Sequence, residues 1–85
     1  MVVVVLPGIL AAEAGGQKRF ELDAATVGDA LRSLPVADRV LDERGELRPL
    51  VNVYVDGRDA RERGGLDAAL AGGETVRLVG AIAGG

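Results

Sequence analysis

The residues of this sequence with the most specific chemical potential are its last six, Gly80-Ala81-Ile82-Ala83-Gly84-Gly85. None has an ionisable side chain. Beyond Arg77 the only expected charge is the main-chain carboxylate of Gly85. A carboxylate is a poor electrophile, so acyl chemistry at Gly85 first requires activation. Glycine suits positions 84 and 85 because it has no Cβ. Its backbone can enter a narrow site, and its carbonyl stays open to a nucleophile. A Gly-Gly pair alone is a weak signal, since glycine fills 13 of 85 positions. The pairs Gly15-Gly16, Gly64-Gly65 and Gly72-Gly73 read as turns.

The composition excludes other chemistries. Cysteine and histidine are absent, which removes thiol nucleophiles, disulfides, imidazole catalysis and ordinary zinc sites. Ten basic residues stand against 13 acidic ones, a net charge of −3. Neither half of the chain is basic, so phosphate neutralisation and nucleic-acid binding are not expected. The acidic set Asp56, Asp59 and Glu62 lacks calcium-loop spacing, so no metal site is expected. No phosphate-binding glycine loop is present. The apolar start Met1–Leu6 is too short to span a membrane and lacks a charged leader. A cytoplasmic protein is the expectation.

The elements that would position the tail follow from periodicity. Val2 to Leu6 is a β-branched run that reads as a central strand. Residues 7–16 read as a loop. Gln17 to Leu22 reads as a second strand, antiparallel to the first. Thr26 is a helix N-cap with Asp29 three residues on, and Val27, Ala30, Leu31 and Leu34 form one apolar face. Pro35 ends that helix or bends it sharply. A second short helix is expected over Val36–Glu43. Leu50 to Val55 alternates as a strand, with Val51, Val53 and Val55 on one face and Asn52 and Tyr54 on the other. Asp56-Gly57 is a hairpin turn, returning along Arg58–Arg61. Leu66–Leu70 reads as a turn of helix, and Thr75–Val79 as the last strand.

This order predicts an α+β fold, a β-grasp of ubiquitin-like type. It has a mixed sheet of about five strands with one main helix packed across one face. The first and last strands would be parallel central neighbours. Residues 1–79 form the domain, and 80–85 a flexible Gly-Gly tail. Valines of the first strand, Tyr54 and Val79 would lie on the open sheet face, either as a docking surface or covered by loops or the second short helix.

The chain resembles the MoaD/ThiS-type sulfur-carrier proteins over nearly its whole length. The resemblance rests on Ala25-Thr26-Val27-Gly28-Asp29-Ala30-Leu31, on Leu41–Pro49 leading into Val51–Asp59, on Gly65-Leu66-Asp67, and on the closing Ala81–Gly85. Gly80 stands where members often carry proline. The segment Pro7-Gly8-Ile9-Leu10 is similar to the branch that includes cysteine-biosynthesis carriers of the CysO type.

The resemblance implies that an E1-like adenylyltransferase activates the Gly85 carboxylate with ATP. A thiocarboxylate then forms and donates sulfur to an acceptor enzyme, of the molybdopterin synthase large-subunit or cysteine synthase type. ATP binds the partner, and this chain holds no cofactor. It would be a protein co-substrate, or the small subunit of a sulfur-transfer enzyme, rather than a catalyst. Gly84 and Gly85 are the reacting end. Gly80, Ala81, Ile82, Ala83, Tyr54, Arg77 and Val79 would bind partners, Arg77 by pairing with a partner carboxylate. Two alternatives share these features: a ubiquitin-like modifier conjugated through Gly85, and a non-covalent β-grasp binding module.

Overall fold

The computed structural model describes residues 1–80. β1 (Val2–Val5) pairs with β2 (Arg19–Leu22) in antiparallel register, Val4 opposite Phe20. β3 (Val51–Val55) and β4 (Arg58–Asp59) form a hairpin. β5 (Thr75–Gly80) lies between β1 and β3. It runs parallel to β1 and antiparallel to β3, giving the order β2-β1-β5-β3-β4. This is the β-grasp arrangement the sequence predicts, with the first and last strands as parallel central neighbours.

The hairpin turn forms as its residue types require. Asp56 and Gly57 both take positive φ, 48° and 84°, the geometry whose twist matches the flanking strands. The Asp56 carboxylate also accepts the Thr75 N–H at 2.9 Å, and the Asp56 N–H donates to the Thr75 carbonyl at 2.9 Å. The turn is thereby tied to the start of β5.

Three short helices share the other face of the sheet. α2 (Val27–Arg32) begins as expected: the Thr26 hydroxyl accepts the Asp29 N–H at 3.1 Å. Its residues Val27, Ala30 and Leu31 are fully buried against Val53, Val55, Val76 and Leu78. α3 (Ala37–Val40) is shorter than Val36–Glu43 and adds Val40 to the same core.

The segment 7–16 corrects the expected loop, because Gly8–Glu13 is a helix, α1. Pro7 supplies a φ of −69° at the start, and its carbonyl accepts the Ala11 N–H at 2.9 Å. Leu10 and Ala11 are buried. The helix closes with Gly15 at φ 75° and the Gly16 N–H on the Ala11 carbonyl at 2.8 Å, a Schellman closure. Burial of Leu10 and Ala11 outweighs the Pro-Gly signal. The helical layer is thus divided among α1, α2 and α3 rather than carried by one main helix.

The return after the hairpin is also shorter than Arg58–Arg61. The Asp59 carboxylate accepts the Arg61 N–H at 2.9 Å and turns the chain into a 3-10 turn, Ala60–Arg63. A second 3-10 turn, Gly65–Asp67, replaces the expected helix at Leu66–Leu70. Here Leu70 donates to the Ala25 carbonyl, and the Thr26–Ala69 bridge holds the chain extended. No helix among the described residues is long and apolar enough to cross a membrane.

Candidate functional site

The strand pattern divides β5 cleanly. Val76 and Leu78 point into the core, while Arg77 and Val79 are exposed on the opposite face. Register then sets their neighbours. Arg77 lies between Val5 of β1 and Tyr54 of β3, and Val79 lies opposite Asn52. Val3 and Val5 are half-buried on this same face, as is Tyr54. The helices pack on the other side. The sequence-predicted residues Tyr54, Arg77 and Val79 are therefore brought together on the open face.

The charges on that face are arranged unequally. On one flank an Arg19 Nη2 lies 3.5 Å from Glu21. On the other, Arg61 grips both oxygens of Asp59 at 3.1 and 2.7 Å. That grip lowers the Asp59 carboxyl to about 2, and it raises the Arg61 guanidinium above its ordinary value. Among the described residues no carboxylate lies within ion-pair distance of Arg77. Among the described residues Arg77 thus has no ion-pair partner, and it is framed by Val5, Tyr54 and Val79.

Gly80 is the last residue of β5 and pairs with Val51. Gly80 thus lies on the β3 side at the end of the central strand, three residues past the last β1 partner, Arg77. Ala81, Ile82, Ala83, Gly84 and Gly85 lie outside the described residues. The acidic residues of the hairpin region have structural tasks. Asp56 binds the Thr75 N–H, and Asp59 caps the following turn. Nearby, Glu74 accepts the Ala71 N–H at 2.7 Å and pairs with Arg63 at 3.0 Å, which fixes the approach to β5.

Two exposed apolar residues escaped sequence reasoning. Ile9 is 68% exposed and Leu50 is 54% exposed. Leu50 immediately precedes Val51, the partner of Gly80. Ile9 is the second residue of α1, which follows the end of β1 that pairs with Arg77 of β5. With Val79 at 37%, these are large apolar residues left exposed among the described residues. A signal existed for Leu50: alternation places it with Asn52 and Tyr54 rather than with the core valines. Ile9 had none while residues 7–16 read as a loop.

Comparison with known proteins agrees with this geometry. Residues 4–85 match the sequence model of the ThiS family. The sulfur carrier protein CysO of Mycobacterium tuberculosis is 36% identical over 91 residues, covering 99% of this chain and 98% of that protein. Small archaeal modifier protein 3 of Haloferax volcanii is 41% identical over 68 residues, covering 74% of this chain and 73% of that protein. The crystal structure of the Amycolatopsis orientalis BexX/CysO complex contains a chain that superposes with a TM-score of 0.84 at 35% identity, covering 100% of both chains. The family match and the shared fold lead to one conclusion: the chain belongs to the ThiS family.

Proposed function

We propose that this protein is a sulfur carrier whose Gly85 carboxylate is the reacting group. One observation carries the reading. The central strand β5 ends at Gly80 beside an open, partly apolar face, and the family match continues from there to Gly85. The similarity to CysO, a sulfur carrier by name, supports the same conclusion.

The chemistry runs in two substitutions. A Gly85 carboxylate oxygen attacks the α-phosphorus of ATP on an E1-like partner, and pyrophosphate leaves. Hydrosulfide then attacks the acyl carbon, AMP departs with the electron pair of the broken C–O bond, and the sulfur loses its proton. The resulting thiocarboxylate carries sulfur to an acceptor enzyme, of cysteine synthase type on the CysO similarity, with a molybdopterin synthase large subunit as the other candidate. ATP belongs to the partner, so this chain is a co-substrate that works in the cytoplasm. Its own contribution is position. The sheet presents the tail, and the small residues at 84 and 85 let it enter the partner's site. A 1 Å misplacement there costs about 100-fold in rate.

ATP–pyrophosphate exchange with the E1-like enzyme of the same host tests this reading. Exchange that depends on the chain and disappears when Gly85 is deleted is the expected result. Exchange that ignores the deletion would overturn it. A second reading, conjugation of Gly85 to a target amine, is favoured by the similarity to small archaeal modifier protein 3. It predicts Gly85 in isopeptide linkage to other proteins.

A further inference from the structure

The two edges of the sheet are unlike. At one edge β4 is two residues long, and the Asp59 side chain turns the chain away into a 3-10 turn. At the other edge lies β2, Arg19–Leu22, paired on one side only. The ladder fixes which of its main-chain groups are free. The Leu6 N–H donates to the Lys18 carbonyl at 2.8 Å, so Lys18, Phe20 and Leu22 turn their polar groups toward β1. Arg19 and Glu21 turn theirs outward. The Arg19 carbonyl accepts the Gln17 side-chain amide at 2.9 Å, and its second lone pair leaves room for another donor. An edge with free donors and acceptors is a template for a further strand.

The side chains of this edge complement themselves. Arg19 and Glu21 are exposed on the open face, and Phe20 and Leu22 are half-buried on the helical face. In an antiparallel pair of two β2 strands centred on Phe20, Arg19 of each copy stands opposite Glu21 of the other. Each such pair can exchange both its N–H groups, because both residues point outward. Phe20, the one phenylalanine of the chain, meets its counterpart at the two-fold axis. From Lys18 to Leu22 no like charges stand opposite. The neighbouring two-fold registers set Arg19 against Arg19 or Glu21 against Glu21, and like charges directly opposite are unfavourable. Charge therefore selects one register. We propose that β2 is a self-association edge, where a second copy of this chain pairs antiparallel about Phe20 and joins the two sheets into one. The two β5 strands then run antiparallel, so the Gly80 ends lie at opposite ends of the joined sheet. The contact is a short isologous one, which makes the dimer transient. It does not depend on the role of Gly85.

Sedimentation velocity of the full chain up to millimolar concentration is the test. The wild type should show a reversible, concentration-dependent dimer. Arg19→Glu and Glu21→Arg should each weaken it about tenfold or more, because the two-fold axis doubles every change. Glu21→Arg does so although it brings the net charge of −3 nearer to zero. The double variant with both changes restores opposite charges across the axis and should recover most of the affinity. Glu21→Pro removes an outward N–H without touching the bonds to β1, so it should abolish the dimer and leave a folded monomer. Arg58→Glu on the opposite edge should change nothing. Circular dichroism checks the fold of each variant. A wild-type chain that stays monomeric would overturn the proposal and leave the edge to an extended segment of another protein. A dimer that survives Glu21→Pro, or single variants that the double exchange does not rescue, would also overturn it.

Discussion

Replacing Gly28 by Ala should destabilise the protein, although Gly28 lies in a helix. Helix propensity alone favours alanine by about 1 kcal/mol. The packing opposes it. A Cβ on Gly28 would sit 3.1 Å from the Leu66 carbonyl oxygen and 3.1 Å from an Arg32 guanidinium nitrogen. The arginine can move, with loss of its exposed 2.7 Å bond to Asp29. The carbonyl cannot move freely, because the same segment is held on its far side. The Val27 N–H binds the Ala68 carbonyl at 3.0 Å, the Ala68 N–H binds the Gly65 carbonyl at 3.1 Å, and the Leu70 N–H binds the Ala25 carbonyl at 2.9 Å. Overpacking of this kind costs about 1–3 kcal/mol. Set against the propensity gain, the net loss is about 1 kcal/mol. For a domain of this size that lowers Tm by about 4–8 °C. Gly8→Ala in α1 is the matched control, since nothing lies within 4 Å of its added Cβ. That variant should hold or raise Tm. Thermal unfolding by circular dichroism reads both. A Tm for Gly28→Ala equal to or above the wild type would refute the close-approach argument.

Other perturbations have equally defined outcomes. Leu31 is fully buried between α2 and the sheet, so Leu31→Ala should cost about 2.7–5 kcal/mol, and chemical denaturation should show the midpoint fall without a change in slope. The Asp59 carboxyl is lowered to about 2 by the Arg61 side chain and N–H. A depressed carboxylate stabilises the fold above its ordinary unfolded value near 4 and loses that contribution as pH falls through about 2. Stability should therefore decline between about pH 4 and pH 2. Asp59→Asn should flatten that part of the pH profile; an equally steep profile in the variant would show that Asp59 is not responsible.

Much of the fold was legible because local signals agreed with the tertiary arrangement. Thr26 is a cap, Asp56-Gly57 is a hairpin turn, and Val53, Val55, Val76 and Leu78 face the core as their alternation requires. The misread segments are those where two local signals compete. Pro7-Gly8 reads as a chain breaker, yet proline is compatible with a helix start. Leu10 and Ala11 recover the helix by burying themselves under the sheet. Arg58–Arg61 reads as a strand until the Asp59 side chain competes for the Arg61 N–H. Such side-chain-to-backbone bonds are local, but their outcome depends on packing.

The site was legible in a different way. Tyr54, Arg77 and Val79 share a face because period-two alternation places them there. That, among the described residues, Arg77 lacks a carboxylate partner while Arg19 and Arg61 have one depends on cross-strand register and turn geometry. Sequence spacing does not reveal either. Leu50 gains meaning only from its place next to Val51, the partner of Gly80. The role of Gly85 rested on family resemblance and the chemistry of a small terminal residue.

The most direct test of the carrier function is the intact mass of the protein after incubation with ATP, a sulfide source and lysate of its host, beside a Gly85-deleted control. The account predicts a mass gain equal to exchange of one oxygen for one sulfur, present in the full chain and absent from the control. No gain in the full chain, while the same lysate converts another carrier, would contradict it.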